Sequence, residues 1–196
     1  FAKRQAQILV GTQMIAKGLD FPMVTLVGIL NADAGTARPD FRSVEMTFDL
    51  IMQAAGRSGR SRQPGEVIIQ AFDADHYAVR AGARQDYLGF FAQEMRYRHL
   101  GGYPPYSYLI SLVFSDRQLT RAMQAARQLA EELKRQDSFK VLGPTEMARL
   151  QDRYRVRLVM KGKDLKKMKT ALAAQLPLFR CGSCLLAVDV NPLMLD

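Results

Sequence analysis

One short stretch of the sequence combines arginines and glycines at a spacing that suits phosphate binding. It reads QAAGRSGR over residues 53–60. If this stretch is helical, Gln53, Arg57 and Arg60 lie along one edge, because they are four and three residues apart. Guanidinium groups bind phosphate oxygens through paired hydrogen bonds, and Gly56 leaves room for a close approach. An ordinary basic helix end would explain the arginines but not the glycines.

A second stretch that could bind a ligand lies near the start of the sequence, after a predicted strand. It reads GTQMIAKGLDFP over residues 11–22. Segments that leave a buried strand are where α/β proteins commonly bind ligands, and this one is rich in small and hydroxyl side chains. Taken alone, the same residues would also suit a plain strand-to-helix turn.

Three apolar runs predict the strands that position these two stretches. They cover residues 7–12, 24–30 and 66–72. The first two read as buried on both faces, which is typical of strands in a parallel sheet. The first half of the sequence therefore indicates an α/β arrangement.

Two helices are predicted between and after these strands. Val44, Phe48 and Ile51 recur at helical spacing, with Ser43 available as the N-cap. A second helix is predicted over residues 75–99, followed by glycines and prolines that cannot continue it. We place the domain boundary at that stop.

The element order changes beyond this boundary to strand, helix, strand, strand, helix, strand. The predicted bounds are 108–115, 117–136, 140–146, 155–161, 164–176 and 185–190. The first of these helices has a polar face and an apolar face, as expected for a helix packed on a sheet. The order fits a small α+β sandwich of the ferredoxin-like type.

Positive charge is concentrated in the second half of the sequence. The formal net charge is +9, and most of the surplus comes from nine basic residues between positions 149 and 169. Alternation along the predicted strand places Arg153, Arg155 and Arg157 on one face. A polyanion is the natural partner for such a segment. A solvated basic face that only aids solubility is the alternative.

Composition and spacing exclude several classes of protein. Apolar residues make up 48% and charged residues 24%, which argues against a disordered or fibrous chain. The longest uncharged run of the first half, residues 21–32, is too short to cross a bilayer, so we expect a cytoplasmic protein without a membrane partner. Cys181 and Cys184 have no second pair, and no metal site is expected.

The two ligand-binding stretches together resemble motifs V and VI of superfamily 2 helicases, and among these the PriA family of replication restart helicases. Three other features strengthen the resemblance. They are NAD at residues 31–33 with PDFR at 39–42, the proline pair at 104–105, and DVNP at 189–192. The resemblance covers essentially the whole chain.

The resemblance implies roles at an ATP site. Arg60 and Arg57 stand where relatives stabilise charge on the transferring γ-phosphate, with Arg60 as the arginine finger. Gln53 and Gly56 stand beside them at the nucleotide. Asp20 stands where many members contact the nucleotide ribose.

It also implies contacts with DNA. Thr12 and Gln13 stand where relatives touch the DNA backbone or couple it to the nucleotide, and Gly11 and Gly18 allow a close approach. Lys17 could contact phosphate of either ligand. In the second half, six basic residues are predicted to contact DNA: Arg153, Arg155, Arg157, Lys163, Lys166 and Lys167.

One part of an ATPase is missing from the sequence. No G-x-x-x-x-G-K-[ST] loop occurs in the 196 residues, although this loop cradles the phosphates in such enzymes. We therefore expect the C-terminal part of a longer protein whose intact form uses ATP and Mg²⁺ and carries zinc upstream, and we expect none of these bound to this chain alone.

The resemblance implies a division of the chain into three parts. Residues 1–75 would be a truncated second RecA-like lobe, 76–102 a connecting helix and 103–196 a domain that binds DNA and protein partners. The implied activity is ATP-dependent 3′→5′ DNA unwinding, and the implied partners are single-stranded DNA, single-stranded DNA-binding protein and other primosome proteins. The alternatives are a non-enzymatic nucleic-acid-binding module and a fragment of another superfamily 2 translocase.

Overall fold

The computed structural model describes residues 5–12, 24–56, 65–177, 179 and 182–195. The chain divides into two compact units, residues 1–95 and 96–196. Each unit has its own sheet. The three-part division at residues 75 and 102 stays a prediction.

The first unit contains a parallel pair of strands, β1 (Leu26–Ile29) and β2 (Glu66–Ile69). Helices α1 (Ser43–Ala55) and α2 (Tyr77–Ala83) follow these strands, and α3 (Tyr87–Gly101) begins in the same unit. Alternate strand residues such as Ile29 pack on Ile51 and Val79 of the helices. The α/β prediction for this half is confirmed.

Three local predictions for the first unit were wrong. Residues 7–12 form no strand; they are irregular and exposed, because a parallel strand needs partner strands and the two described strands pair with each other. Leu26 and Ile68 are more than half exposed, so β1 and β2 have one open face. Ser43 is the first helical residue and not the N-cap, and its hydroxyl donates to the Thr36 carbonyl.

The predicted helix over 75–99 is two helices with a break between them. Gln85 has a φ of 55°, in the left-handed region, which ends α2. The Asp86 carboxylate then accepts the backbone N–H of Gly89 at 2.8 Å, in the manner of an N-cap for α3. Because aspartate is a preferred N-cap residue, Asp86 could have been recognised in the sequence as the start of a new helix.

The second unit has the predicted ferredoxin-like order. Its elements are β3 (Tyr108–Asp116), α4 (Leu119–Lys134), β4 (Lys140–Leu150), β5 (Arg153–Gly162), α5 (Leu165–Gln175) and β6 (Leu185–Val190). The strands lie in the order β4-β5-β3-β6, and all neighbours are antiparallel. Gln151 and Asp152 both have positive φ, as a two-residue hairpin between β4 and β5 requires.

One face of this sheet carries the core. Leu112, Phe114 and Leu158 are fully buried there against α4 and α5, which contribute Leu129 and Met168 among others. We call the opposite face of the sheet, which neither α4 nor α5 covers, the outer face. None of the described helices is both long enough and apolar enough to span a membrane.

Candidate nucleotide and nucleic-acid surfaces

The end of α1 carries the described part of the predicted ATP site. Ile51 and Ala54 are buried toward β1, whereas Gln53 is exposed on the other side of the helix. Gly56 follows as the C-cap in a right-handed helical conformation, and its N–H donates to the Met52 carbonyl. The exposed polar edge fits a nucleotide-facing role for Gln53. The φ of Gly56 is one that any residue can adopt. A glycine at this position therefore suggests that a ligand needs the space a side chain would fill.

Several predicted site residues lie outside the described residues. They are Gln13, Lys17, Gly18, Asp20, Arg57 and Arg60. Gly11 and Thr12 are described, and both are exposed in irregular backbone. The roles of all eight residues stay predictions.

The carboxyl ends of β1 and β2 are joined by a buried carboxylate. Asp33 is 9% exposed, and its two oxygens accept the backbone N–H groups of Phe72 at 3.0 Å and Asp73 at 2.8 Å. These bonds, that of Asp73 first, lower the pKa of Asp33. Asn31 has a φ of 52°, and its backbone N–H donates to Oε1 of Gln70 at 3.1 Å. The segment Asn31-Ala32-Asp33 therefore holds together the loops that follow β1 and β2.

The arginines of β5 share one face, as the alternation predicted. Val156 and Leu158 are in the core, so Arg153, Arg155 and Arg157 lie at outer-face positions. The three arginines differ, however, in how accessible their guanidinium groups are to an external ligand. Arg157 is only 9% exposed. The side chains of Arg153 and Arg155 donate hydrogen bonds to backbone carbonyls.

These backbone contacts position the other two arginines. Arg153 Nη2 donates to the Ser115 carbonyl at 2.8 Å, and its Nε is buried without a hydrogen-bond partner among the described residues. Arg155 is half-exposed, and its Nε donates to the Ala148 carbonyl at 2.9 Å. Arg155 is therefore the best placed of the three for an external anion, which alternation alone did not reveal.

Two lysines that sequence reasoning did not select extend the outer face. Lys140 lies directly opposite Lys161 on the neighbouring strand. The Lys161 ammonium donates to the Gly101 carbonyl at 2.7 Å and lies 4.2 Å from the centre of the Tyr103 ring. Burial, and next the charge of Lys140, lower the pKa of Lys161. The pair can be recognised only from the strand register, which cannot be derived from the sequence alone.

The lysines of the basic segment lie elsewhere. Lys166 and Lys167 are exposed on α5, whose Met168 and Leu172 pack on the core face. Lys163 is exposed just before this helix, and Asp164 caps it by accepting the Lys167 N–H at 3.0 Å. The predicted DNA-contacting residues therefore do not form one surface: the three arginines are at outer-face positions of β5, where Arg157 is buried, and the lysines are at and on α5, which packs on the core face.

The cysteines and acidic residues offer no alternative site that can be described. Cys184 is buried beside the core, and Cys181 is outside the described residues. Among the residues that the structure describes, no group of three or more His, Cys, Asp or Glu side chains is arranged to hold a metal ion.

Comparison with known families matches both halves of the chain. The family described as helicase conserved C-terminal domain matches residues 1–62. The family described as primosomal protein N C-terminal domain matches residues 99–193. The second match covers the ferredoxin-like unit almost completely.

Individual relatives match across both regions. The replication restart protein PriA of Bacillus subtilis is 41% identical over 203 residues, which covers 100% of this chain and 25% of that protein. The PriA proteins of Chlamydia pneumoniae and Synechocystis are 41% and 37% identical, covering 82% and 100% of this chain and 22% and 24% of theirs. The chain thus spans about a quarter of the length of these curated relatives, and by these matches it belongs to the PriA family, corresponding to the C-terminal region of its members.

Proposed function

We propose that this chain is the C-terminal part of an ATP-dependent 3′→5′ DNA helicase that acts in replication restart. In the intact protein it contributes the arginine side of the ATP site and a DNA-binding domain. The observation that carries the proposal is the combination of a helicase-type first unit, with Gln53 exposed at the end of α1, and a basic ferredoxin-like second unit in one chain. ATP, when bound, would carry the γ-phosphate and Mg²⁺ would neutralise its charge, and Arg57 and Arg60 would stabilise the charge that develops on it.

The arginine roles are tested in the full-length protein. Arg60→Ala should lower DNA-stimulated ATP hydrolysis by about 10³-fold or more, as for other arginine fingers, and should change nucleotide binding little, because the charge that it stabilises develops in the transition state. Arg38→Ala, at an exposed arginine in the same unit, is the matched control. Unchanged turnover of Arg60→Ala would remove this residue from the site.

DNA binding is proposed for the second unit. Lys140 on β4 and Lys166 on α5 are exposed, and Arg155 on β5 is half-exposed, so all three are cations that can meet phosphates. Binding of single-stranded DNA by the purified chain should weaken with salt at a log-log slope of about −0.7 per neutralised phosphate. Arg155→Gln should flatten that slope, while Lys134→Gln on α4 should leave it unchanged. Equal slopes for Arg155→Gln and the unchanged chain would exclude Arg155 as a phosphate contact.

The proposed binding partners follow from the proposed helicase function. They are DNA forks, single-stranded DNA, single-stranded DNA-binding protein and other primosome proteins, with zinc bound only upstream in the intact protein. A non-enzymatic nucleic-acid-binding module is the second candidate, and the missing phosphate-binding loop favours it for this chain taken alone.

A further inference from the structure

The two edge strands of the second unit's sheet differ in how they are protected against pairing. Strand β4, at one edge, has two register shifts against β5, carries Lys140 and Arg149 near its ends and contains Pro144. Register shifts, charges and prolines are the features by which proteins keep an edge strand from pairing with another chain. Strand β6, at the other edge, pairs regularly with β3, and its sequence LLAVDV contains one charge and no proline. The β6 edge therefore lacks the protection that β4 has.

The free edge of β6 presents backbone groups that can pair with a further strand. The Asn191 N–H donates to the Leu109 carbonyl at 2.8 Å, which fixes which residues of the β3–β6 ladder form hydrogen-bonded pairs. Alternate residues of β6 pair with β3, and the N–H and C=O groups of the others, Leu186, Val188 and Val190, point away from it. No described residue forms a backbone hydrogen bond with these outward groups.

The side chains of β6 are apolar and accessible on both faces of the sheet. Val188 and Val190 lie on the core face but are 42% and 37% exposed, and Leu185 on the outer face is more than half exposed. A strand added along the free edge would cover part of this apolar surface and would satisfy the outward backbone groups. The edge of β6 therefore suits the addition of a strand from outside the unit.

We propose that β6 pairs with β6 of a second copy of this chain, in antiparallel orientation and centred on Val188. The outward residues form the hydrogen-bonded pairs, so Val188 lies opposite Val188 of the second copy, and Leu186 lies opposite Val190. This is the one antiparallel register that pairs all three outward residues with each other. It places Asp189 opposite Ala187, so the single charge of the strand meets no like charge. Pairing centred on Asp189 would oppose two carboxylates, which is destabilising.

The size of this contact determines how strong the dimer should be. Stable protein interfaces involve about 20–30 residues on each side, whereas β6 has 6 residues. Leu193 and Met194, which follow the strand and are exposed, extend its apolar surface by only a little. The expected dimer is therefore weak, and it forms at high protein concentration.

The test uses the full chain at concentrations from micromolar to millimolar. Sedimentation equilibrium should show a monomer that converts to a dimer, and amide exchange at the three outward residues should slow as the dimer forms. Val188→Lys and Val188→Glu should each stay monomeric, because two like charges then meet at the centre of the pairing. An equimolar mixture of these two variants should dimerise again. Thr120→Lys and Thr120→Glu, at an exposed position of α4, are the matched controls and should dimerise like the unchanged chain.

Four results would overturn the proposal. The first is a chain that stays monomeric at millimolar concentration. The second is slow amide exchange of Leu186, Val188 and Val190 already in the monomer, because another segment of the same chain would then occupy the edge. The third is a dimer that persists in both Val188 variants, and the fourth is a mixture of these variants that stays monomeric. Circular dichroism shows whether each variant is folded, and the exchange measurement on the unchanged chain decides if a variant is not.

Discussion

The hydroxyl of Ser183 donates a 2.7 Å hydrogen bond to Oδ2 of Asp116, a residue 67 positions earlier in the sequence. The other oxygen of Asp116 accepts the Gln118 N–H at 2.9 Å, and Arg121 donates to the Ser183 hydroxyl at 3.2 Å. One carboxylate thus connects the end of β3, the start of α4 and the loop before β6. This loop precedes the edge strand, so the contact fixes the register at which β6 begins.

Asp116→Asn should destabilise the second unit at neutral pH, and the difference should shrink in acid. The Gln118 N–H and then the Ser183 hydroxyl hold the pKa of Asp116 below its ordinary value of 3.8. A carboxylate with a lowered folded-state pKa contributes stability above its unfolded pKa and loses it as the pH falls through the folded value. Urea unfolding of both proteins at pH 7, 5 and 3 measures this.

Ser183→Ala should show the same trend with a smaller amplitude, because it removes the lesser of the two contacts that lower the pKa of Asp116. A stability difference for Asp116→Asn that is constant from pH 7 to pH 3 would show that the charge of this carboxylate does not stabilise the fold.

Gly82→Ala should destabilise the first unit even though alanine favours helices. A Cβ at position 82 of α2 would lie 2.7 Å from Cγ2 and 3.0 Å from Cβ of Ile51 on α1, and neither atom can move freely because Ile51 is fully buried. Overpacking costs about 1–3 kcal/mol, against a helix-propensity gain of at most about 1 kcal/mol.

Gly28→Ala is the matched control in the same unit, since a Cβ there meets nothing within 4 Å. Thermal unfolding should give a lower Tm for Gly82→Ala and an unchanged or slightly higher Tm for Gly28→Ala. Equal Tm values for the two variants would mean that α1 and α2 separate easily at this crossing.

Much of the second unit could be predicted from the sequence because its core pattern is local. The apolar stripe of α4 and the alternation of β5 identify which side chains face the core, and the structure places Ala126, Val156 and Leu158 there. The burial of Arg157 could not be predicted, because alternation assigns a residue to a face but does not say what covers that face. The Lys140–Lys161 pair depends on strand register, which is also tertiary information.

The errors in the first unit have a similar origin. The apolar run at residues 7–12 has the composition of a strand, but a strand forms only with a hydrogen-bonding partner. The break after α2 is formed by Gln85, which carries no sequence signal for a positive φ. The candidate site motifs were selected from residue type and spacing and stay predictions, whereas the division of the basic segment between β5 and α5 required the fold.

Lys140→Gln should raise the pKa of Lys161 and stabilise the second unit at neutral pH. The two residues are paired on neighbouring strands, and the charge of Lys140 is one of two causes that lower the pKa of Lys161. Opposed like charges on neighbouring strands cost roughly 0.2–1 kcal/mol. The stabilisation should vanish well above pH 10.5, the ordinary pKa of lysine, because the Lys161 amine, whose pKa is lowered, is then neutral. NMR titration of the lysine side chains follows the pKa directly, and an unchanged value for Lys161 would contradict the coupling.

The purified chain should show no ATP hydrolysis above background, with or without DNA. Its sequence lacks the G-x-x-x-x-G-K-[ST] loop, and backbone N–H groups of that loop, with its lysine, hold the β- and γ-phosphates during transfer. Arginines such as Arg57 and Arg60 stabilise charge that develops on a phosphate already held, so they cannot replace the loop. Phosphate release is measured for the unchanged chain and for Arg60→Ala, purified in the same way. A contaminating ATPase gives equal rates in both preparations. Turnover that is present in the unchanged chain and lost in Arg60→Ala would show that this chain hydrolyses ATP by itself, and the proposal that it supplies only one side of the site would then be wrong.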